Sequence, residues 1–133
     1  MLAGGCLCGK VRYEISEPFV SASYCHCTRC QRRSGTAASA QARIVPGSLT
    51  ILEGEELVKC WKPEDGFAKC FCSYCGGALW SQDADGGIAS VRLGTVDGDP
   101  GIRPSYRTYT NYAVEWEPIP DDGLERFGEA KTA

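Results

Sequence analysis

Seven of the nine cysteines in this 133-residue chain fall into three tight groups: Cys6-x-Cys8, Cys25-x-Cys27-x-x-Cys30 and Cys72-x-x-Cys75. Thiols one to three positions apart can converge on one point, and the chemistry open to them there is metal ligation or dithiol exchange. A structural zinc takes four ligands in a closed tetrahedron, whereas a catalytic zinc keeps three protein ligands and one open position. Seven is four plus three. The flanking residues suggest the partition. Gly9 follows Cys8 and Gly76-Gly77 follow Cys75, and glycine lets a backbone turn tightly at positive φ without steric cost. Cys6, Cys8, Cys72 and Cys75 therefore read as two knuckles closing one four-thiolate site. Cys25, Cys27 and Cys30 supply three ligands within six residues, with no glycine directly after them. They suit a second metal with one position free.

The neighbours of the three-cysteine group add to its chemistry. Arg29, Arg32 and Arg33 lie on the same segment. They can offset thiolate charge or grip a substrate carboxylate by paired hydrogen bonds, and solvated surface arginine is the plain alternative. Arg32 is carried forward as a substrate-positioning candidate. His26 is the only histidine and stands between two of the cysteines; in an extended segment it points opposite to Cys25 and Cys27, which argues against a shared ligand role. Cys70 alternates with Cys72 and is expected on the same strand face, near a metal. Cys60 reads as ordinary strand filling. Trp61, Trp80 and Trp116 read as core.

The elements that must hold these groups are mostly strands. Lys10 to Ile15 and Val20 to Tyr24 alternate polar and apolar, the period-2 pattern of half-buried strands. Thr36 to Val45 is a weaker strand. Leu49 to Leu52 and Leu57 to Trp61 are expected to pair across Glu53 to Glu56, and Phe67 to Phe71, Ala78 to Gln82 and Ile88 to Leu93 continue as short strands. A short helical turn is expected through Gln31 to Ser34 with Gly35 as its stop. Asp83 to Gly87 reads as a turn, Gly94 to Pro104 as loop, and the aromatic-rich tail from Tyr106 to Phe127 as packing on the sheet.

Composition narrows the function classes. Hydrophobic residues at 43% and charged residues at 23% are ordinary for a globular domain. The formal charge of −3 argues against a nucleic-acid partner, and no apolar run approaches the ~18 residues that span a bilayer. Removing seven thiol protons and adding two Zn²⁺ takes that charge from −3 to −6. Met1 to Gly5 leave no room before Cys6 for a secretory leader, so the expected compartment is the cytoplasm, where clustered cysteines generally mean metal.

Three segments in order carry a resemblance: Gly5 to Tyr13 (GCLCGKVRY), Cys25 to Arg32 (CHCTRCQR) and Phe71 to Gly76 (FCSYCG). Together with the tail from Trp116 to Phe127, ending DGLERF, they resemble the glutathione-dependent formaldehyde-activating enzyme family over nearly the whole chain. The resemblance implies a mainly β chain with a β-tent fold of small antiparallel sheets and zinc knuckles, forming a single domain over residues 1–133. It implies a structural zinc at Cys6, Cys8, Cys72 and Cys75 and a catalytic zinc at Cys25, Cys27 and Cys30. The implied activity is a carbon–sulfur lyase reaction, run as synthase or cleavage, between a thiol such as glutathione and a small aldehyde such as formaldehyde. Arg107 stands roughly where many relatives carry a histidine, which makes it a second substrate-positioning candidate beside Arg32. Val114-Glu115 replaces a more usual Ala-Pro before Trp116.

Two other functions use the same residues. A non-enzymatic zinc-binding module for protein interaction or chaperoning predicts one tightly held zinc and no thiol-dependent turnover. A redox relay at the Cys25 group predicts reversible loss of thiols on mild oxidation.

Overall fold

A computed structural model describes residues 1–132 and is mainly β. In chain order the strands are β1 (Leu2–Gly5), β2 (Arg12–Ile15), β3 (Ser21–Cys25), β4 (Ser39–Arg43), β5 (Leu49–Glu53), β6 (Val58–Trp61), β7 (Ala68–Cys72), β8 (Ala78–Gln82), β9 (Ile88–Arg92), β10 (Tyr106–Thr108) and β11 (Glu125–Arg126). One short α-helix, α1 (Thr28–Ser34), follows β3, and 3₁₀ turns occupy Glu55–Leu57, Leu93–Thr95 and Thr110–Tyr112.

The strands form two sheets. A small antiparallel sheet runs β1-β2-β5, and a long mixed sheet runs β11-β10-β3-β4-β9-β8-β7-β6. In the long sheet only the tail strands run parallel to their neighbours: β10 lies parallel to β3 on one side and to β11 on the other. The tail thus packs at the edge of the sheet beside the strand that ends in Cys25.

The core lies between the small sheet and the β7–β9 part of the long one. Alternation in β2 turns Tyr13 and Ile15 inward, where they join Val11, Leu79, Trp80 and Val91, each fully buried. Tyr13 and Trp80 meet edge to face, with ring centroids 5.9 Å apart, and the Tyr13 hydroxyl lies 2.6 Å from Thr95 Oγ1. Burying aromatic rings of this size while satisfying the phenol makes this contact a large contributor to stability.

Trp61 and Trp116, expected in the core, are exposed, and two further departures concern strand pairing. The segments around Leu49 and Leu57 do not pair with each other: β5 pairs with β2, and β6 pairs with β7. The chain between them is taken up by a left-handed Gly54 and the 3₁₀ turn, which separate the two strands onto different sheets. Pairing β5 with β2 places Ile51 opposite Tyr13 and Leu49 opposite Ile15, so the small sheet presents one apolar face. The other departure concerns Cys60 and Cys70. Cys60 is not ordinary strand filling: the two cysteines face each other directly across β6 and β7 and are joined by a disulfide, with Cα atoms 4.0 Å apart. Directly opposed positions on antiparallel strands are close enough to bond, a proximity invisible until the register is known.

Helix α1 begins at Cys27, whose Sγ accepts a hydrogen bond from the Cys30 backbone N–H at 3.3 Å, and stops at Gly35 in the left-handed conformation. No described helix is long and apolar enough to cross a membrane.

Candidate metal centres and active-site cavity

The fold gathers the seven unpaired cysteines into two groups: Cys6, Cys8, Cys72 and Cys75 in one, and Cys25, Cys27 and Cys30 in the other. Within each group the sulfurs lie within 4.8 Å of one another.

The four-sulfur group joins the two sheets. Cys6 and Cys8 lie on the turn after β1, while Cys72 ends β7 and Cys75 lies on the turn that follows. Both turns are built alike. Gly9 and Gly76 take φ of 80° and 78°, and their N–H groups return to the carbonyls of Cys6 and Cys72 at 3.2 and 2.7 Å. Each turn also points amides at sulfur: Val11 N–H donates to Cys6 Sγ at 3.3 Å and Gly77 N–H to Cys75 Sγ at 3.5 Å. The Gly77 amide, with others around it, holds the Cys75 thiol down to about 6. A tetrahedral zinc with Zn–S of about 2.3 Å requires sulfurs roughly 3.8 Å apart. Cys8 Sγ lies 3.5 Å from Cys6 Sγ and 4.0 Å from Cys72 Sγ. The donor set and spacing fit a closed zinc site.

The three-sulfur group is positioned by β3 and α1. Cys25 ends β3, opposite Ser39 on β4 and Thr108 on β10; Cys27 caps α1 and Cys30 lies in its first turn. Cys25 and Cys30 are buried, Cys27 less so. Hydrogen bonds from its two sister thiols hold Cys30 far below the ordinary thiol range, with the Arg92 charge adding to them, and the same sharing drives Cys25 far above it. A metal bound there would take all three as thiolates and release the protons they share. Three sulfurs facing one cavity fit a zinc with one position left for an incoming group.

That cavity has a volume of about 1070 Å³ and is lined by all three cysteines. Its charged lining is mostly basic: Arg29, Arg43, Lys69, Arg92 and Lys131 against Asp65, the sole acid there among the described residues. Asp65 is already spent on Arg29, at 2.6 Å. Sequence reasoning missed Arg43, Lys69 and Arg92. The one available signal was an arginine at the end of the apolar strand Ile88–Arg92, where a charge facing inward demands a reason.

The structure places the two predicted arginines elsewhere. Arg32, with Trp61 and Phe71, lines a smaller cavity of about 460 Å³ that shares Thr28, Arg29 and Lys69 with the large one. Arg107 is buried in β10 and does not line the large cavity; it donates to Asp122 at 2.7 Å, lies 3.1 Å from His26 Nε2 and stacks on Tyr24. His26 is itself buried and lies outside both sulfur groups. Burial, followed by the Arg107 charge, holds His26 below its usual range.

The family model for the glutathione-dependent formaldehyde-activating enzymes matches residues 1–112, which include both sulfur groups. The chain belongs to that family. A curated protein of Halomonas elongata provisionally named as a glutathione-dependent formaldehyde-activating enzyme is 29% identical over 89 residues, covering 62% of this chain and 57% of its own length. The match thus spans little more than half of that relative. A crystal structure of a Rhodobacter sphaeroides protein, solved as a structural-genomics target, has 24% identity and a TM-score of 0.55, and the match covers 94% of this chain and 98% of the other. That likeness concerns the fold of the family domain.

Proposed function

We propose that this chain is a zinc-dependent carbon–sulfur lyase or synthase of the large cavity, joining or cleaving a thiol such as glutathione and a small aldehyde such as formaldehyde. The observation that carries this reading is the three-sulfur group opening onto a basic cavity, separate from a four-sulfur group that has its full ligand complement. In this reading Cys6, Cys8, Cys72 and Cys75 hold a structural zinc, and Cys25, Cys27 and Cys30 hold a catalytic one. Seven free ligand thiols suit a reducing compartment such as the cytoplasm, while the Cys60–Cys70 disulfide suits an oxidising one.

In the forward direction a C–S bond forms between the thiol sulfur and the carbonyl carbon, the C=O π pair moves onto oxygen, and the thiol proton ends on that oxygen. The reverse breaks the C–S bond and restores the carbonyl. Cys25, Cys27 and Cys30 would hold the zinc, and the chemistry it would supply when bound is deprotonation of an entering thiol, worth at most about 2 kcal/mol over the ~3% thiolate of a free thiol at pH 7. The larger contribution must come from the protein. Holding two reactants in a productive geometry is worth up to ~7–11 kcal/mol, and the cavity's basic lining supplies fixed charges to grip an anionic group of the thiol substrate, such as a peptide carboxylate.

The test is zinc stoichiometry with turnover. Wild-type protein is expected to hold two zincs and form the S-hydroxymethyl adduct from glutathione and formaldehyde. Cys27→Ser is expected to keep its fold, hold one zinc and lose turnover. Undiminished turnover in Cys27→Ser overturns the assignment. One dialysis-resistant zinc in the wild type with no thiol-dependent turnover favours the interaction module.

A further inference from the structure

Near the three-sulfur group lies a basic cluster, with Arg92 buried and Arg33 and Lys69 half-buried, and no carboxylate among the described residues pairs with any of them. Arg92 is 8% exposed and lines the large cavity. Its guanidinium makes only long hydrogen bonds, to the hydroxyls of Ser39, Ser81 and Ser90, each at 3.4 Å, with the Cys30 sulfur also in reach, and its buried Nε has no partner. Arg33 lies against the same Ser81 Oγ at 3.2 Å but is otherwise satisfied, donating to the carbonyls of Trp80 at 2.7 Å and Cys70 at 3.3 Å. Burial and the neighbouring Arg92 charge pull Arg33 down to about 10, and burial with Arg33 lowers Lys69. The four salt bridges among the described residues include none of the three.

Charge counting defines what is missing. Three thiolates with one Zn²⁺ carry a net −1, while Arg33, Lys69 and Arg92 carry +3. An entering thiolate leaves a positive excess of one. A guanidinium stripped of water and left on three long contacts to neutral hydroxyls is poorly compensated, since a buried charge calls for an ionic partner. Arg33 shows what a satisfied arginine looks like here; Arg92 differs in having unspent donors, a face on the cavity, and the Cys30 sulfur within reach.

We infer that Arg92, with the Ser81 and Ser90 hydroxyls that line the large cavity beside it, forms a carboxylate subsite in that cavity, next to the three-sulfur group. The inference rests on the reading of that cavity as the thiol–aldehyde site and defines its substrate class. Formaldehyde offers nothing for such a subsite. An aldehyde with a carboxylate on its carbonyl carbon, such as glyoxylate, places that anion within two bonds of the reacting carbon. A carboxylate of the thiol substrate is the other source of the same chemistry.

Titration calorimetry on zinc-loaded full-length protein, with glyoxylate and glutathione as separate probes, tests the subsite without requiring turnover. Arg92→Met is expected to weaken at least one probe about tenfold or more, the loss of a charge-assisted hydrogen bond. Its zinc content should stay unchanged, and Arg103→Met, on the exposed Asp99 pair, should bind as wild type. Arg92→Lys keeps a charge but loses the paired geometry; it is expected to weaken the same probe and stands in if the methionine variant does not fold. Turnover then locates the source. A loss confined to glyoxylate, with either glutathione or the carboxylate-free thiol cysteamine, puts the anion on the aldehyde. A loss confined to glutathione, with either aldehyde, puts it on the thiol. Wild-type affinity for both probes in a folded, zinc-replete Arg92 variant overturns the subsite. A chain that binds the probes through Arg92 but turns over no thiol and aldehyde overturns the proposed reaction alone.

Discussion

Arg107 Nη1 lies 3.1 Å from His26 Nε2, so a strand of the tail grips the one residue that separates Cys25 from Cys27. The two backbones are tied as well, with His26 N–H donating to the Thr108 carbonyl at 3.0 Å. Arg107 therefore acts on the three-sulfur group through position, from the face opposite the sulfurs. Losing a contact made directly to a metal ligand typically costs 10–100-fold in metal affinity, and Arg107 acts one residue further out, through His26. Arg107→Met is expected to weaken one of two bound zincs by up to about tenfold in a chelator competition and leave the other as tight as in wild type. Equal retention of both zincs would remove the positioning role.

The same arginine sets a pH expectation. Its hydrogen bond to Asp122 holds that carboxyl below the ordinary range, with the Leu124 amide assisting. A carboxylate lowered in the folded state stabilises fully above its unfolded pKa near 3.9, and the benefit is lost as pH falls through the folded value. Between pH 5 and 8 the carboxylate is ionised in both states. Asp122→Asn is therefore expected to lower the melting midpoint by a constant amount across that window, because the buried Arg107 charge loses its partner throughout. A difference that grows or shrinks between pH 5 and 8 in zinc-replete protein would contradict this.

Much of this architecture was legible in the sequence because the signals are local. The alternation of Arg12 to Ile15 announced a strand, and the glycines after Cys8 and Cys75 announced the knuckles, since both depend on a few adjacent residues. What stayed hidden depends on register between distant segments. The Cys60–Cys70 bond exists because β6 and β7 place those residues opposite each other. Arg92 comes near Cys30 because β9 lies beside β4, whose Ser39 faces Cys25. Strand β1 was missed for another reason: in Leu2–Gly5 two glycines erase the alternation, and they are needed because a Cβ at Gly4 would strike the Tyr13 ring and the Thr95 carbonyl.

The four-sulfur group ties Cys6 and Cys8, next to the small sheet, to Cys72, which is completely buried in the core and ends β7 of the long one. A zinc held there would connect the two sheets, and structural zinc contributes apparent binding free energies of order ~10 kcal/mol. That is comparable to the whole stability of a domain of this size. Cys72→Ser is expected to yield insoluble or unfolded protein, in contrast to the folded Cys27→Ser. A soluble Cys72→Ser protein with a cooperative melt would refute the closed site.

The Cys60–Cys70 disulfide staples the edge strand β6 to β7, closing a loop with a sequence separation of 10. A loop this short gives about 2–3 kcal/mol by the chain-entropy estimate. The bridge lies outside both sulfur groups, so its loss should leave metal binding intact even though Cys70 sits two residues from Cys72. Cys60→Ala/Cys70→Ala is expected to lower the unfolding free energy by about that amount in urea while retaining two zincs. Loss of zinc together with the bridge would show instead that the staple holds the β7 end of the four-sulfur site in place.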